Sequence, residues 1–155
     1  MKSDAAFIHA VERAHLAERR LAATLRAYQL DAVARSTGVR ADHAGIAAYA
    51  HDIDLDVEGY RCQYKHRTRP LQTLLTTVGD PIVDERHKAD RTPVDFYILR
   101  FDDTALVAPY APSAWRVIAR FDYADNSHKT YYVVPPADCI PYAMWVRALV
   151  RRRAR

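Results

Sequence analysis

The stretch His51-Asp52-Ile53-Asp54-Leu55-Asp56-Val57-Glu58-Gly59-Tyr60-Arg61-Cys62-Gln63-Tyr64-Lys65 decides the fold of this chain. Residues 52 to 57 alternate aspartate with an aliphatic side chain, and residues 60 to 65 alternate apolar with polar. Glu58-Gly59 stands between them, where a two-residue turn needs glycine. A period of two on both sides predicts an antiparallel hairpin. Val57 then faces Tyr60, Asp56 faces Arg61, Leu55 faces Cys62, Asp54 faces Gln63, Ile53 faces Tyr64 and Asp52 faces Lys65. One face carries Asp52, Asp54, Asp56, Arg61, Gln63 and Lys65; the other carries Ile53, Leu55, Val57, Tyr60, Cys62 and Tyr64. Opposite charges across such a ladder are ordinary sheet stabilisers, worth roughly 0.2 to 1 kcal/mol a pair, and Asp52/Lys65 and Asp56/Arg61 fit that description. Asp54 does not, because it faces a neutral amide and has an acidic neighbour two residues away on either side. Oxygen donors crowded in this way suit a hard divalent cation such as magnesium. A lysine beside such a cation stabilises the extra negative charge that builds on a phosphodiester as metal-activated water attacks, and Lys65 is the candidate for that role.

Ahead of the hairpin, Ser3-Asp4 supplies a cap and a first-turn acid for a long helix predicted to run to about Ala34. Its apolar stripe is Phe7, Val11, Ala14, Leu21, Leu25, Tyr28 and Ala32. Glu18 falls inside that stripe, about 20° from the direction of Phe7 and Leu25, whereas Glu12 lies well off it. A carboxylate on the core side of a helix needs a cation or a metal as partner, and Arg61 or an arginine of the basic loop is one such cation.

An acidic residue on one strand, a short turn and then Gln-x-Lys on the next resembles the core of the PD-(D/E)xK nuclease superfamily, in the variant where glutamine replaces the second carboxylate. The likeness is to small intron-encoded endonucleases and is carried by His51-Asp52-Ile53 and Gln63-Tyr64-Lys65. Two later segments, Asp95-Phe96-Tyr97-Ile98-Leu99 and Tyr131-Tyr132-Val133-Val134-Pro135, look like the strands that follow in those enzymes. The chain departs from the pattern in lacking the proline before the acid and in placing Tyr64 where a small aliphatic residue is usual. The resemblance implies an α/β fold of restriction-endonuclease-like type, a mixed sheet of about five strands flanked by helices. It also implies Mg2+ or Mn2+ as cofactor and DNA as substrate, with RNA as an alternative. Asp52, Asp54 and Glu18 would hold the metal, Gln63 would complete the site through its carbonyl, and Lys65 would act in catalysis. A homodimer would be expected if both strands of a duplex are cut, because each subunit offers one site.

With 155 residues, half of them hydrophobic, the chain is expected to form one domain over 1–155. No apolar run approaches the ~20 residues that span a bilayer, and Phe7-Ile8 is followed too soon by Glu12 and Arg13 for a signal-peptide core. The expectation is a cytoplasmic protein without a membrane partner. Cys62 and Cys139 suggest neither a zinc site nor a disulfide framework. The net charge is +4 and the pI about 9.2. The run Lys65-His66-Arg67-Thr68-Arg69 directly follows the Gln-x-Lys, so His66, Arg67 and Arg69 are candidate phosphate-backbone contacts. The arginines at 147, 151–153 and 155 read as a basic tail and a frayed, solvated helix end.

Residues 36–40 read as a helix stop and 46–49 as entry to the sheet. A helix-turn-helix across residues 30–50, with Ala34 and Gly38 at its turn, would make the chain a DNA-binding regulator. A non-catalytic nucleic-acid-binding domain with a decayed site is the other alternative. Leu71 to Thr77 is a short helix or strand, and 79–93 a polar loop expected to be mobile or to face substrate. Strands are expected at 94–101, 115–123 and 129–134, the last two as a hairpin, and a final helix at 141–152 with Met144, Trp145, Ala148 and Leu149 inward. Among seven histidines no pair has ligand spacing; His51 and His66 flank the hairpin and most of the others are expected at the surface.

Overall fold

The computed structural model describes residues 4–35, 53–123 and 125–155, without the side chains of Asp4 and Phe7. The chain is a mixed α/β fold with a long N-terminal helix, α1 (Asp4–Ala27), and a mixed six-stranded sheet. That sheet comprises β1 (Ala32–Ala34), β2 (Leu55–Val57), β3 (Tyr60–His66), β5 (Phe96–Arg100), β6 (Ala105–Pro109) and β9 (Ile140–Pro141), in that spatial order. Neighbours are antiparallel except β3 and β5, which run parallel. A second, antiparallel sheet has the order β4 (Ile82–Glu85), β8 (Ser127–Val133), β7 (Arg116–Asp122). Two short helices, α2 (Leu71–Thr77) and α3 (Arg86–Arg91), flank β4, and α4 (Tyr142–Arg153) closes the chain.

The hairpin forms with the expected register over Leu55↔Cys62, Asp56↔Arg61 and Val57↔Tyr60. Its turn has Glu58 at φ 49° and Gly59 at φ 82°, the positive angles that a two-residue turn demands of both central residues. Glu58 tolerates this because its ends are tied. Its carboxylate accepts the Asp31 backbone N–H at 2.9 Å and a bond from Arg153 at 2.7 Å. Those bonds, Arg153 first, hold the carboxyl below its ordinary value. Below Leu55 the regular ladder stops, so the expected pairs Asp54/Gln63 and Ile53/Tyr64 do not form and Ile53 packs with the interior opposite to that of Leu55: the Asp54 carboxylate itself accepts the Tyr64 N–H at 2.7 Å, while its carbonyl accepts from Arg35 N at 2.9 Å.

The helix is shorter than its periodicity suggests. Gln29, at φ 63°, takes the left-handed cap position, with Leu30 N–H bonding back to Leu25 at 3.3 Å and Gln29 N–H to Arg26 at 2.8 Å. Leu25 and Leu30 are both buried, the apolar pair that accompanies this cap. Ala32 therefore lies on an edge strand paired with Val57, and Tyr28 is exposed.

The six-stranded sheet has a different neighbour on each side. Leu21, Ala22 and Leu25 of α1 pack with Leu55, Val57, Cys62, Ile98 and Val107, joined by Trp145, Val146 and Leu149 of α4. Tyr97, Leu99, Leu106 and Ala108 point the other way, against Val83, Trp115 and Tyr132 of the second sheet region, with Leu71 and Leu74 of α2 alongside. Trp115 makes edge contacts with Tyr97, Tyr110 and Tyr132 at centroid distances of 5.9, 5.6 and 5.5 Å. The expected polar loop at 79–93 is thus β4 and α3, ordered because Val83 and Ala89 are buried and the Tyr132 hydroxyl bonds Asp90 at 2.7 Å. The β7–β8 hairpin is as expected; β6 was not. In α4 the inner residues are Trp145, Val146 and Leu149, while Met144 and Ala148, expected inward, are exposed. The end of α4 is docked rather than frayed: Arg153 pairs with Glu58, and the Arg152 guanidinium lies 5.2 Å from the Tyr60 ring centroid. No helix among the described residues is long and apolar enough to cross a membrane.

Two substitutions check this account. Leu25→Ala removes a fully buried side chain at both the core and the helix cap, and is expected to lower unfolding stability by about 3 kcal/mol in urea. Because the Glu58 carboxyl is lowered in the folded state, its contribution is present above its ordinary value and fades as pH falls through the folded one. Glu58→Gln is therefore expected to cost about 0.5 kcal/mol at neutral pH and to converge with the parent in acid.

Candidate active site

Because β3 lies between β2 and β5, its two faces meet different interiors. Cys62 and Tyr64 look towards α1 and α4, and Gln63 and Lys65 towards the second sheet. Gln63 is buried and sits in register beside Tyr97, as Lys65 sits beside Leu99.

The Lys65 ammonium lies 3.1 Å from Oδ2 of Asp84, in a pair whose side chains are 29% and 11% exposed. The Tyr97 hydroxyl donates to the same oxygen at 3.3 Å, and Asp84 Oδ1 accepts the Glu85 N–H at 2.9 Å. Asp84 reaches Lys65 because β4 is irregular: its register against β8 shifts between Ile82 and Asp84, which re-aims the carboxylate. Burial first, then the Asp84 charge, pushes the Tyr97 hydroxyl well above its ordinary value, with Asp54 adding to the effect. Asp84 thus bonds a buried tyrosine beside Gln63, while the Asp54 carboxylate is held by the Tyr64 N–H.

The remaining sequence candidates divide between the two faces. Glu18 is buried, at 5% exposure, so its inward direction is as expected. It lies on the Tyr64 side, however, where burial raises the Tyr64 hydroxyl, the Arg100 charge opposes and Glu18 adds. The sheet separates Glu18 from Lys65, and the structure does not bring them together as one metal site. His15, expected at the surface, is buried one helical turn earlier on the same face. Asp56 lies across from Arg61, yet its carboxylate pairs with Arg35 on the β1 side. The Arg61 backbone N–H bonds Asp95 at 2.7 Å. Asp52 and His51 lie outside the described residues, so the Asp52/Lys65 pair does too; Lys65 pairs with Asp84.

The basic run also divides. His66 and Arg69 are exposed, and the His66 ring stacks on Tyr64 at 6.0 Å and 6°. Arg67 turns inward, its guanidinium 6.0 Å from the Phe101 ring centroid and its buried Nη1 without a hydrogen-bond partner among the described residues. Burial lowers the Arg67 value, and the Asp84 charge opposes that effect. The loop itself is fixed by Arg67 N–H to Arg100 O at 2.8 Å and Asp102 N–H to Arg69 O at 3.1 Å. Both cysteines are free and buried; burial pushes the Cys139 thiol up to about 11 and the Cys62 thiol higher still. Among the described residues, no three His, Cys, Asp or Glu side chains converge as a metal-ligand group.

The chain matches no protein-family model, no curated protein and no solved structure.

Asp84 and Tyr97 are the members of this cluster that the sequence reading missed. Asp84→Asn removes the charge that compensates a largely buried ammonium, and is expected to lower stability by about 2 kcal/mol in chemical denaturation. An exposed, optional ion pair would instead change stability by well under 1 kcal/mol.

Proposed function

We propose that this chain is a divalent-metal-dependent endonuclease of restriction-endonuclease-like fold, acting on DNA in the cytoplasm. The observation that carries the reading is the Lys65 ammonium, fixed 3.1 Å from Asp84 on the face it shares with Gln63, directly beyond a hairpin that begins with aspartates. The Gln-x-Lys pattern leaves one carboxylate to be supplied from elsewhere, and Asp84 stands on the Lys65 side where Glu18 does not.

The donors fit magnesium or manganese in kind: Asp54 and Asp84 offer carboxylate oxygens and Gln63 an amide carbonyl. Asp52, outside the described residues, would complete the set. When bound, the metal supplies an activated water and offsets phosphate charge. Lys65 stabilises the negative charge that grows on the phosphoryl oxygens, in a setting where partial burial strengthens the interaction. Asp84 and Tyr97 hold the ammonium in one orientation, so little reorganisation is needed as charge develops. His66 and Arg69 meet the flanking phosphates, and the half-buried Arg67 adds a fixed positive charge behind them.

One observation favours a second reading, a non-catalytic nucleic-acid-binding domain with the same fold. The ion pair with Asp84 already neutralises Lys65. The helix-turn-helix alternative loses its first part, since residues 32–34 are a strand; the remainder lies outside the described residues.

Nicking of supercoiled DNA with Mg2+ or Mn2+ is expected, abolished by EDTA and reduced by about 100-fold or more in Lys65→Ala. Salt-sensitive DNA binding without cleavage would replace this reading with the binding domain. Neither activity would remove the nucleic-acid reading altogether.

A further inference from the structure

Four strands lie at sheet edges among the described residues, and three of them are blunted. β1 has three residues, β9 has two and contains Pro141, and β4 has four and an irregular register. The fourth, β7, is different. It runs for seven residues, Arg116–Asp122, paired to β8 without a register shift and containing no proline. Its outward surface is also apolar in part: Val117 is 40% exposed, Ala119 is exposed, and Tyr123 just beyond is 88% exposed. An edge this long and regular is a template for another strand.

The sequence of β7, Arg-Val-Ile-Ala-Arg-Phe-Asp, is complementary to itself when reversed. Two copies placed antiparallel about Ala119 would set Arg116 opposite the partner's Asp122 and Val117 opposite the partner's Phe121. Ile118 would meet the aliphatic stem of the partner's Arg120, and Ala119 would meet the partner's Ala119 on the two-fold axis. Each pair then lies on one face of the joined sheet, as antiparallel geometry requires. Opposite charges fall at both ends, where within one copy Arg116 also pairs with Asp80 at 3.0 Å and Asp122 with Lys129 at 2.8 Å; small residues fall at the centre where the axis passes, and an apolar and an aromatic side chain between.

We infer that β7 is a homodimer interface, joining two three-stranded sheets into one antiparallel sheet of the order β4-β8-β7 followed by the partner's β7-β8-β4. The occupant of the edge is a second copy of this chain. The contact is isologous, so it closes at two copies and leaves no further β7 edge.

Ala119 is exposed and paired with exposed Thr130, so substitution there leaves the fold of one copy undisturbed. Sedimentation equilibrium of the full chain, from low to high micromolar, is expected to show a dimer. Ala119→Lys sets two ammonium groups against each other at the axis and is expected to weaken self-association by about tenfold or more, with the circular dichroism spectrum unchanged. Ala119→Cys is expected to form an interchain disulfide on mild oxidation, since directly opposed residues lie within bridging distance. A wild-type chain that stays monomeric over this range, or a dimer that Ala119→Lys leaves equally tight, would overturn the inference. The readout is mass rather than cleavage, so its result stands apart from that of the nuclease reading.

Discussion

β3 can serve two interiors only because its side chains alternate without interruption, and the rest of the architecture depends on that alternation. Cys62 and Tyr64 complete the interior formed with α1 and α4; Gln63 and Lys65 enter the one formed with the second sheet. A slip of one residue would carry Lys65 to the α1 and α4 side and Cys62 to the side of the second sheet, so the register is strongly specified. The turn that sets it is fixed at three points: Gly59 supplies one positive φ, Asp31 and Arg153 hold the other through Glu58, and Arg152 lies over Tyr60. The segment that follows α1 and the last turn of α4 thus converge on the hairpin turn.

The second sheet gives this face its chemistry. An ion pair as sheltered as Lys65–Asp84 contributes little to stability in net terms, because desolvating both charges offsets most of their attraction. What it does provide is position. The ammonium, the carboxylate and the Tyr97 hydroxyl fix one another, and the aromatic cluster around Trp115 keeps the two sheets in place behind them. Asp84, and not Glu18, is the carboxylate paired with Lys65.

What could be read in the sequence was whatever is local. The alternation of residues 52 to 65 and the Glu58-Gly59 turn carry their own geometry, and so does the hairpin at 116–133. The inward direction of Glu18 followed from helical spacing alone. The end of α1 did not, because its cap residue is Gln29 rather than glycine, and Tyr28 and Ala32 happen to continue the stripe. β6, Ala-Leu-Val-Ala-Pro, is a short apolar run without alternation, since both its faces are covered. Asp84 was hidden for a different reason. In the sequence it opens the charged run Asp84-Glu85-Arg86-His87-Lys88, and only the packing of one sheet on another, with an irregular strand, turns its side chain to Lys65.

On the proposed function, the Gln63–Lys65 face, with Asp54 and Asp84, is where a divalent metal and a phosphate meet. Titration of the isotopically labelled chain with substoichiometric Mn2+, followed by amide NMR, tests it without relying on turnover. Signals of Asp54, Gln63, Tyr64, Lys65 and Asp84, with those of Tyr131 and Tyr132 paired beside Asp84, are expected to broaden first, while those of α4 and of the turn between β7 and β8 persist. Broadening that is absent from this face, or that begins among the other carboxylates of the surface, would contradict it.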